Sequence, residues 1–556
     1  MGLRSNGFQR RLRVVKGAFL LFALLLLWRS GTFLIPSVRQ HWLQQAESTF
    51  FQRISLPAER GRIYDRHGNL LALNRPTIDI YQGGPLKALP PELQRLGLRP
   101  KPVGRLAVPL KFRASEDLIP VVDRWAPRLW YRPSWVRWYP AGPATSSLLG
   151  MVGLDDQGLD GVELQYNRLL QGEPGYLYLF KTSRGKSLFT LPETPRQDPH
   201  PGHDLFLTVD REISELCYLA LQQGVDSTQA RWGFALVVDP FTGDVLAMVT
   251  YPSPDPAQRI TTATNRTIVA PYEPGSTFKV LVYSLAYTRH LITPETPVDT
   301  RPGWLQVGRF RIRDVHAHGG RVMTYADALI HSSNVAAAKL ALQIPAEDLY
   351  AWARAFGVGQ KTGIGLPGES PGRMQPLKRW KEVERATFAI GHGVMVTGLQ
   401  MAMIYSAIAN GGLLLKPRIL WTDDPTPQVV RRVLRPGVAD TLKHLLQRVV
   451  EEGTGRRAQI PGLAVAGKTG TAIKVDPKTH RYDRNRVIVS FIGFFPVDRP
   501  RYVINVVVDE PRTGKYGGDV AAPIFQRIAR NLLALEASRA GVAYHQRLDH
   551  ETIATP

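Results

Sequence analysis

The sequence predicts a membrane-anchored chain of α+β or α/β class, on three observations. A basic N-terminus leads into an apolar stretch, strand-like runs recur at both ends of the region beyond residue 200, and helical periodicities fill the span between them. The length of 556 residues exceeds one ordinary core and suggests two to four domains. With 44% apolar residues and 9% aromatics, the bulk of the chain has enough to bury and is not disordered. A single cysteine, Cys217, excludes a disulfide scaffold and a multi-cysteine zinc site. The net charge of +23 calls for an anionic partner, either nucleic acid or an anionic membrane or wall surface.

The first forty residues settle where that charge matters. They carry seven basic groups and no acidic one, and Arg4, Arg10, Arg11, Arg13 and Lys16 precede the run GAFLLFALLLLW at 17–28. Twelve apolar residues are short for a span. Extended over 14–35, with Arg29 snorkelling to the interface, the segment becomes long enough for one transmembrane helix. A cleaved signal peptide is the rival reading, but RSGTF follows where an A-x-A-like site would be needed. Five positive charges keep the tail 1–13 cytoplasmic and send the rest outside. Residues 1–150 hold 23 Lys and Arg against 8 Asp and Glu, so +15 of the +23 lies near the anchor and reads as topology and membrane-proximal surface. No nucleic-acid partner is expected.

Beyond the anchor, RQHWLQQAESTFFQRI (39–54) has amphipathic helical spacing, and ERGRIYDRHGNLLALN (59–74) reads as two short strands around a turn at His67-Gly68-Asn69. Residues 84–140 are rich in Pro, Arg and Trp and show no sustained period. LPETPRQDPHPGHD (191–204) marks a boundary between a domain at 36–198 and a larger one at 199–540, with 541–556 as a tail. HDLFLTVD alternates like a strand, REISELCYLALQQGV has helical spacing, and WGFALVVDPFTGDVLAMVTYP reads as a hairpin turning at 239–243. RVIVSFIGFFP and RYVINVVVDEP are two further strands, and AAPIFQRIARNLLALEASR is a closing helix. Strands at both ends of a helical middle imply a mixed sheet sandwiched by helices.

Three motifs in the larger domain carry chemistry. In YEPGSTFK, Ser276 opens a helix and Lys279 lies one turn later on the same face. A serine hydroxyl is a poor nucleophile until a base takes its proton, and a desolvated, neutral lysine three residues on can do so. The helix N-terminus adds N–H groups for a developing oxyanion. The second motif is Ser332-Ser333-Asn334. The third, AGKTGTA, contains Lys468, Thr469, Gly470 and Thr471 and suits a sheet edge, where Gly470 lets a substrate backbone approach closely. Each is weak alone. Ser183-Arg-Gly-Lys186 repeats the first pattern without a helix to present it, and Lys361-Thr362-Gly363 repeats the last inside a Gly-rich turn. The ordered triple is what carries weight. Residues 462–469 also fit a G-x-x-x-x-G-K-T phosphate loop, but the β-branched TAIKVDPKTH follows where that loop must open a helix.

These motifs resemble the class B penicillin-binding proteins, the peptidoglycan D,D-transpeptidases. The anchor, RGRIYDRHGNLLA and 139–175 resemble the family's elongated, mainly-β pedestal. GHDLFLTVD, WGFALVVDPFTGDVLAMVTYPSPDP, YEPGSTFK, SSN, IGHGVMVTGLQMAMIYSAIANGG and KTGTA resemble its transpeptidase domain. The resemblance implies an α+β fold with a central antiparallel sheet and no cofactor or metal. It also implies acyl transfer on a stem peptide ending in D-Ala-D-Ala: Ser276 attacks, Lys279 is the base, D-Ala leaves, and a neighbouring stem-peptide amine resolves the acyl-enzyme. Ser332 would relay a proton, Asn334 would hold the substrate amide and orient Lys279, and Lys468 would help keep Lys279 neutral. Thr469 and Thr471 would bind the terminal carboxylate, and the N–H groups of Ser276 and Thr471 would form the oxyanion hole. β-Lactams would acylate Ser276.

Within the class, GLDDQGLDGVE and VVVDEPRTGKYGGDVAAPIF resemble the division type (FtsI, penicillin-binding protein 3) more than the elongation type (penicillin-binding protein 2). His392, preceded by Gly391, departs from both. A septal enzyme in the inner membrane, working beside a SEDS-family glycosyltransferase and other divisome proteins, is therefore expected. A receptor of the same fold that captures β-lactam or wall peptide without turnover is the alternative from a different class. Elsewhere plainer readings prevail. His316 and His318 lack a third ligand cluster. Trp125, Trp130, Trp135 and Trp138, interleaved with Arg124, Arg128, Arg132 and Arg137, read as packing with Arg–Trp stacking. Cys217 reads as a buried hydrophobe, Asp239 and Glu510 as turn and strand-end residues, and Arg60, Asp65 and Arg66 as an ion-paired fold element.

Overall fold

The computed structural model describes residues 5–32, 51–103, 108–181, 188–189, 196–252, 264–315, 320–476, 479 and 481–553. The chain divides into two compact units, one formed by 1–59 with 172–202 and the other by 60–171 with 203–556.

The first unit holds helix α1 (Ser5–Thr32) and a small antiparallel sheet, in which Phe51–Leu56 pairs with Gly175–Lys181 and the latter with Leu188–Phe189 and Arg196–Gln197. Helix α1 carries the apolar run 17–28. Among the described residues no helix is long and apolar enough to cross a membrane, and 33–35, the far end of the expected anchor, lie outside them. The amphipathic helix expected over 39–54 is corrected at its end. Residues 51–54 belong to a strand, because ladder pairing with Tyr178–Phe180 and Leu177 decides their conformation, while 39–50 lie outside the described residues.

In the second unit, β1 (Ile63–Tyr64) and β2 (Leu70–Gln82) flank the expected turn. Gly68 takes φ +82° there, and buried Asp65 accepts from the N–H groups of His67 and Asn69, both at 2.8 Å. β2 pairs with β3 (Val108–Ala114) and, along ten residues, with β4 (Leu129–Trp138). β4 lies in the stretch that showed no period, because Pro133 and the interleaved Arg and Trp mask its alternation. Its aromatics pack: Trp130 stacks on Tyr81 at 4.3 Å, and Arg75 of β2 lies 3.4 Å from the Trp138 ring centroid. The Arg–Trp stack exists, with an arginine from outside the interleaved set. Arg60 and Arg137 converge on Glu163, each at 2.7 Å and all three buried.

The expected strand HDLFLTVD shrinks to β5 (Leu205–Phe206), parallel to β1. Thr208 turns its hydroxyl onto the Val245 and Arg418 carbonyls, and Asp210 caps helix α2 (Arg211–Thr228) by accepting from Ile213 N–H. The capping geometry ends the strand.

The central sheet has the order β7 (Val245–Tyr251), β6 (Trp232–Val238), β10 (Tyr502–Asp509), β9 (Tyr482–Phe495) and β8 (Ala466–Val475), with every pairing antiparallel. β6 and β10 are buried at every residue, as strands covered on both faces must be. On one face Ala235, Val237, Phe491 and Phe495 pack with Ile213, Cys217 and Leu221 of α2 and with Phe525 and Ile528 of the closing helix Ala521–Ile553. On the other face Leu236, Val238, Ile492 and Phe494 join the core of the helical middle, which also takes in Ile63, Leu71 and Leu148. β8 is left at the edge of the sheet.

Candidate active site

Ser276 lies in a single 3-10 turn, Gly275–Phe278, that runs into helix α3 (Lys279–Thr288). Two glycines let this turn press against its neighbours. Gly275 has φ +57°, and a Cβ there would stand 2.6 Å from the Thr471 carbonyl oxygen on β8. Gly391 has φ +75°, and a Cβ there would collide with the Gly275 carbonyl. Tyr405 Oη donates to the Thr277 carbonyl at 2.9 Å, and buried Phe278 meets Phe388 edge to face. The turn is thus held from the sheet and from the helical side.

Lys279 is fully buried. Its Nζ donates to the Ser332 carbonyl at 2.6 Å and to Asn334 Oδ1 at 2.8 Å, and lies 3.1 Å from Ser332 Oγ. Ser332 holds φ +62°, a left-handed backbone that a serine rarely adopts, in the joint between Tyr325–Ile330 and α4 (Asn334–Leu342). Lys468, also fully buried, reaches the same Ser332 Oγ at 2.9 Å from β8. One hydroxyl therefore bridges two lysines. Burial drives the Lys279 ammonium well below the ordinary lysine range, and the neighbouring Lys468 pushes it further while Asp314 opposes both. Burial lowers Lys468 to about 7.

The other expected residues sit around this cluster. Among the described residues the half-buried Ser276 hydroxyl has no hydrogen-bond partner, so Lys279, Ser332, Asn334 and Lys468 are brought together and Ser276 stands one turn away. Thr469 Oγ1 lies 2.7 Å from Thr454 Oγ1, and Thr471 Oγ1 accepts from Gly517 N–H at 3.1 Å. Gly470 has a packing reason in the fold. A Cβ there would run into Ser490 Oγ and stand 2.7 Å from the Pro274 carbonyl, so the glycine serves the packing of β8 against the Ser276 turn.

Sequence motifs did not reveal Asp314, Thr454 or Gly517. Asp314 Oδ1 accepts from the N–H groups of Asn334 and Val335 at 2.6 and 3.0 Å, and its carboxylate takes the Ser333 hydroxyl, which in turn caps α4. Its only sequence sign is an acid 18 residues before an SSN motif. Asn334 Nδ2 donates to the Arg313 carbonyl, which turns the amide oxygen toward Lys279. The competing signals resolve simply. Residues after Leu463 enter β8 and no helix follows, which removes the phosphate-loop reading. Thr362 bonds Glu369 within a turn. His316, His318, Ser183 and Lys186 lie outside the described residues. Cys217 is buried, Asp239 accepts from Phe241 N–H in its turn, and Glu510 pairs with Lys474 and Arg486.

Residues 233–530 match the penicillin binding protein transpeptidase domain, and residues 124–207 match the penicillin-binding protein dimerisation domain. Over 502 residues the chain is 34% identical to peptidoglycan D,D-transpeptidase FtsI of Escherichia coli (strain K12), covering 85% of this chain and 83% of that one. Stage V sporulation protein D of Bacillus subtilis is 33% identical over 88% of this chain and 80% of its own. A crystal structure of penicillin binding protein 3 from Mycobacterium tuberculosis, complexed with aztreonam, superposes with a TM-score of 0.69 at 29% identity, covering 87% of this chain and 97% of that one.

Proposed function

The chain belongs to the class B penicillin-binding proteins, with a dimerisation and a transpeptidase domain, and from that premise we propose a serine D,D-transpeptidase that cross-links peptidoglycan stem peptides through an acyl-enzyme on Ser276. The observation that carries the reading is the buried lysine pair bridged by Ser332 Oγ.

Neutral Lys279 takes the Ser276 Oγ proton as Oγ attacks the penultimate carbonyl of a peptide ending in D-Ala-D-Ala. The oxyanion forms against the N–H groups of Ser276 and Thr471, which the glycine at 275 brings into close approach. Ser332, in hydrogen-bond reach of both lysines, passes the proton to the departing D-Ala nitrogen as the C–N bond breaks. A neighbouring stem peptide's amine then attacks the acyl-enzyme, gives up a proton along the same route and regenerates Ser276. Lys468 with the Thr469 and Thr471 hydroxyls holds the terminal carboxylate. Asn334 orients Lys279 and, with its remaining amide hydrogen, the substrate amide.

The residue 14–35 segment anchors the chain in the inner membrane, with 1–13 cytoplasmic, 36–198 as pedestal and 199–540 as the extracytoplasmic enzyme. Relatives named FtsI support a septal role, beside a SEDS-family glycosyltransferase and other divisome proteins. Fluorescent penicillin should label the purified protein covalently and leave Ser276→Ala unlabelled; label retained in that variant rejects the assignment. Turnover of a thioester substrate analogue separates an enzyme from a receptor that only captures β-lactam. Affinity capture from cells that recovers an elongation-specific glycosyltransferase alone would overturn the septal role.

A further inference from the structure

A short antiparallel hairpin, Trp304–Val307 paired with Phe310–Arg313, leads straight into Asp314, the carboxylate that holds the start of α4. Packing settles its two faces. Val307 and Ile312 are buried in a small apolar cluster with Ala338 of α4 and with Ala386. The pleat then turns Trp304, Gln306, Arg311 and Arg313 to the opposite face. Arg309 stands at the turn beside Gly308, whose φ is +58°. Arg309, Arg311 and Arg313 are all exposed, and the Arg311 guanidinium lies over the Trp304 ring, 4.1 Å from its centroid. Among the described residues none of the three meets a carboxylate at ion-pair distance. Nearby Arg301 takes Asp299, and Asp314 spends its oxygens on Ser333, Asn334 and Val335. Arg311 and Arg313 are about 6.6 Å apart along the strand, so their like charges repel and favour an anion between them.

This basic face begins next to the chemistry. The Arg313 carbonyl accepts from Asn334 Nδ2 at 2.8 Å, and Asn334 Oδ1 accepts from Lys279 at 2.8 Å. On the transpeptidase reading above, the second half of the reaction fixes where an acceptor enters. Its amine nitrogen bonds to the acyl carbon that D-Ala has left, the Ser276 ester C–O bond breaks, and one amine proton passes by Ser332 and Lys279 to Ser276 Oγ. The amine therefore stands where the D-Ala nitrogen stood, at Ser332. The donor fills the β8 side, so the body of the acceptor extends the other way, over Asn334 and Arg313. Every stem peptide ending in D-Ala carries at least its own terminal carboxylate. We propose that the outer face of this hairpin is the docking surface of the acceptor stem peptide, whose carboxylates pair with Arg309, Arg311 and Arg313 and so bring its amine to Ser332. Acylation by the donor does not use this surface, and cross-linking does.

Two acceptors test this on the full-length protein acylated by a thioester donor: acetyl-lysyl-D-alanine, which carries a terminal carboxylate, and its C-terminal amide, which does not. The reading is the partition of the acyl-enzyme between aminolysis and hydrolysis. The carboxylate peptide should exceed the amide by about fivefold, and Arg309→Gln combined with Arg311→Gln should lower that ratio at least twofold. A ratio of one in the wild type, which a surface for an anionic wall polymer or a membrane would also give, overturns the proposal. So does a preference that the double variant keeps undiminished. If the variant does not fold, raising the salt from about 0.05 to about 0.5 M should lower the wild-type ratio by screening the exposed arginines, and an unchanged ratio is equally fatal. Wild-type protein that labels with penicillin yet treats both acceptors alike overturns the docking surface alone. Protein that does not label overturns the transpeptidase reading beneath it.

Discussion

Two regions of the larger unit each bury a pair of cations, and they treat them in opposite ways. Near the dimerisation-type sheet, Arg60 and Arg137 share Glu163, with further bonds from Arg60 to the Asp156 carbonyl and Asn167. Between the Ser276 turn and β8, Lys279 and Lys468 share a hydroxyl, and among the described residues neither meets a carboxylate at ion-pair distance. Asp314 is close enough to act on Lys279 but spends its oxygens on α4. A buried cation with its own counter-ion holds the fold together. A buried lysine pair without one is pushed toward the neutral form, and a neutral lysine can take a proton. Arginine, which stays charged, suits the first site, and lysine the second.

This contrast can be broken most severely at Lys279. Lys279→Met should reduce the rate of penicillin acylation by roughly 10²–10⁴-fold while the protein keeps its melting temperature, because it removes a base and no ion pair. Glu163→Ala should do the reverse. Leaving two buried guanidinium groups uncompensated should cost about 3–5 kcal/mol of stability, read as a lower melting temperature or denaturant midpoint, with acylation of the folded fraction retained. A Glu163→Ala protein as stable as the parent would remove the distinction.

Smaller effects sharpen the account. Gly391→Ala should displace the Gly275 carbonyl and with it Ser276, lowering the acylation rate by about 10²-fold. Lys468→Met removes the cation that helps depress Lys279. The Lys279 ammonium then becomes easier to form, and the acid limb of the pH–acylation profile should move to higher pH in the residual activity. A limb that stays in place would assign the depression to burial alone.

Much of this was legible in the residues, for physical reasons that differ by element. Lys279, Ser332, Asn334 and Lys468 could be expected in one place because three short motifs follow one another in a set order, and the fold brings these four side chains together. The β6–β7 hairpin could be read because its strands are apolar runs closed by a turn at 239–243. β4 was hidden by Pro133 and by its interleaved Arg and Trp, and β5 by a cap that consumed the end of an apparent strand. Asp314, Thr454 and Gly517 were hidden because only the tertiary fold brings them to the motifs. Gly470 was singled out for close approach to a substrate, and only the fold shows that β8 also packs closely against Pro274 and Ser490 there.

The central claim is that burial beside Lys468 keeps Lys279 neutral for the attack of Ser276, and the pH dependence of acylation tests it most directly. The second-order rate of penicillin acylation of the wild-type protein should reach its plateau well below the ordinary lysine value of about 10.4 and stay level through it, because burial has already taken the proton from the base. A rate that climbs about tenfold per pH unit through pH 9 to 10 would show an ordinary lysine, and would contradict the account.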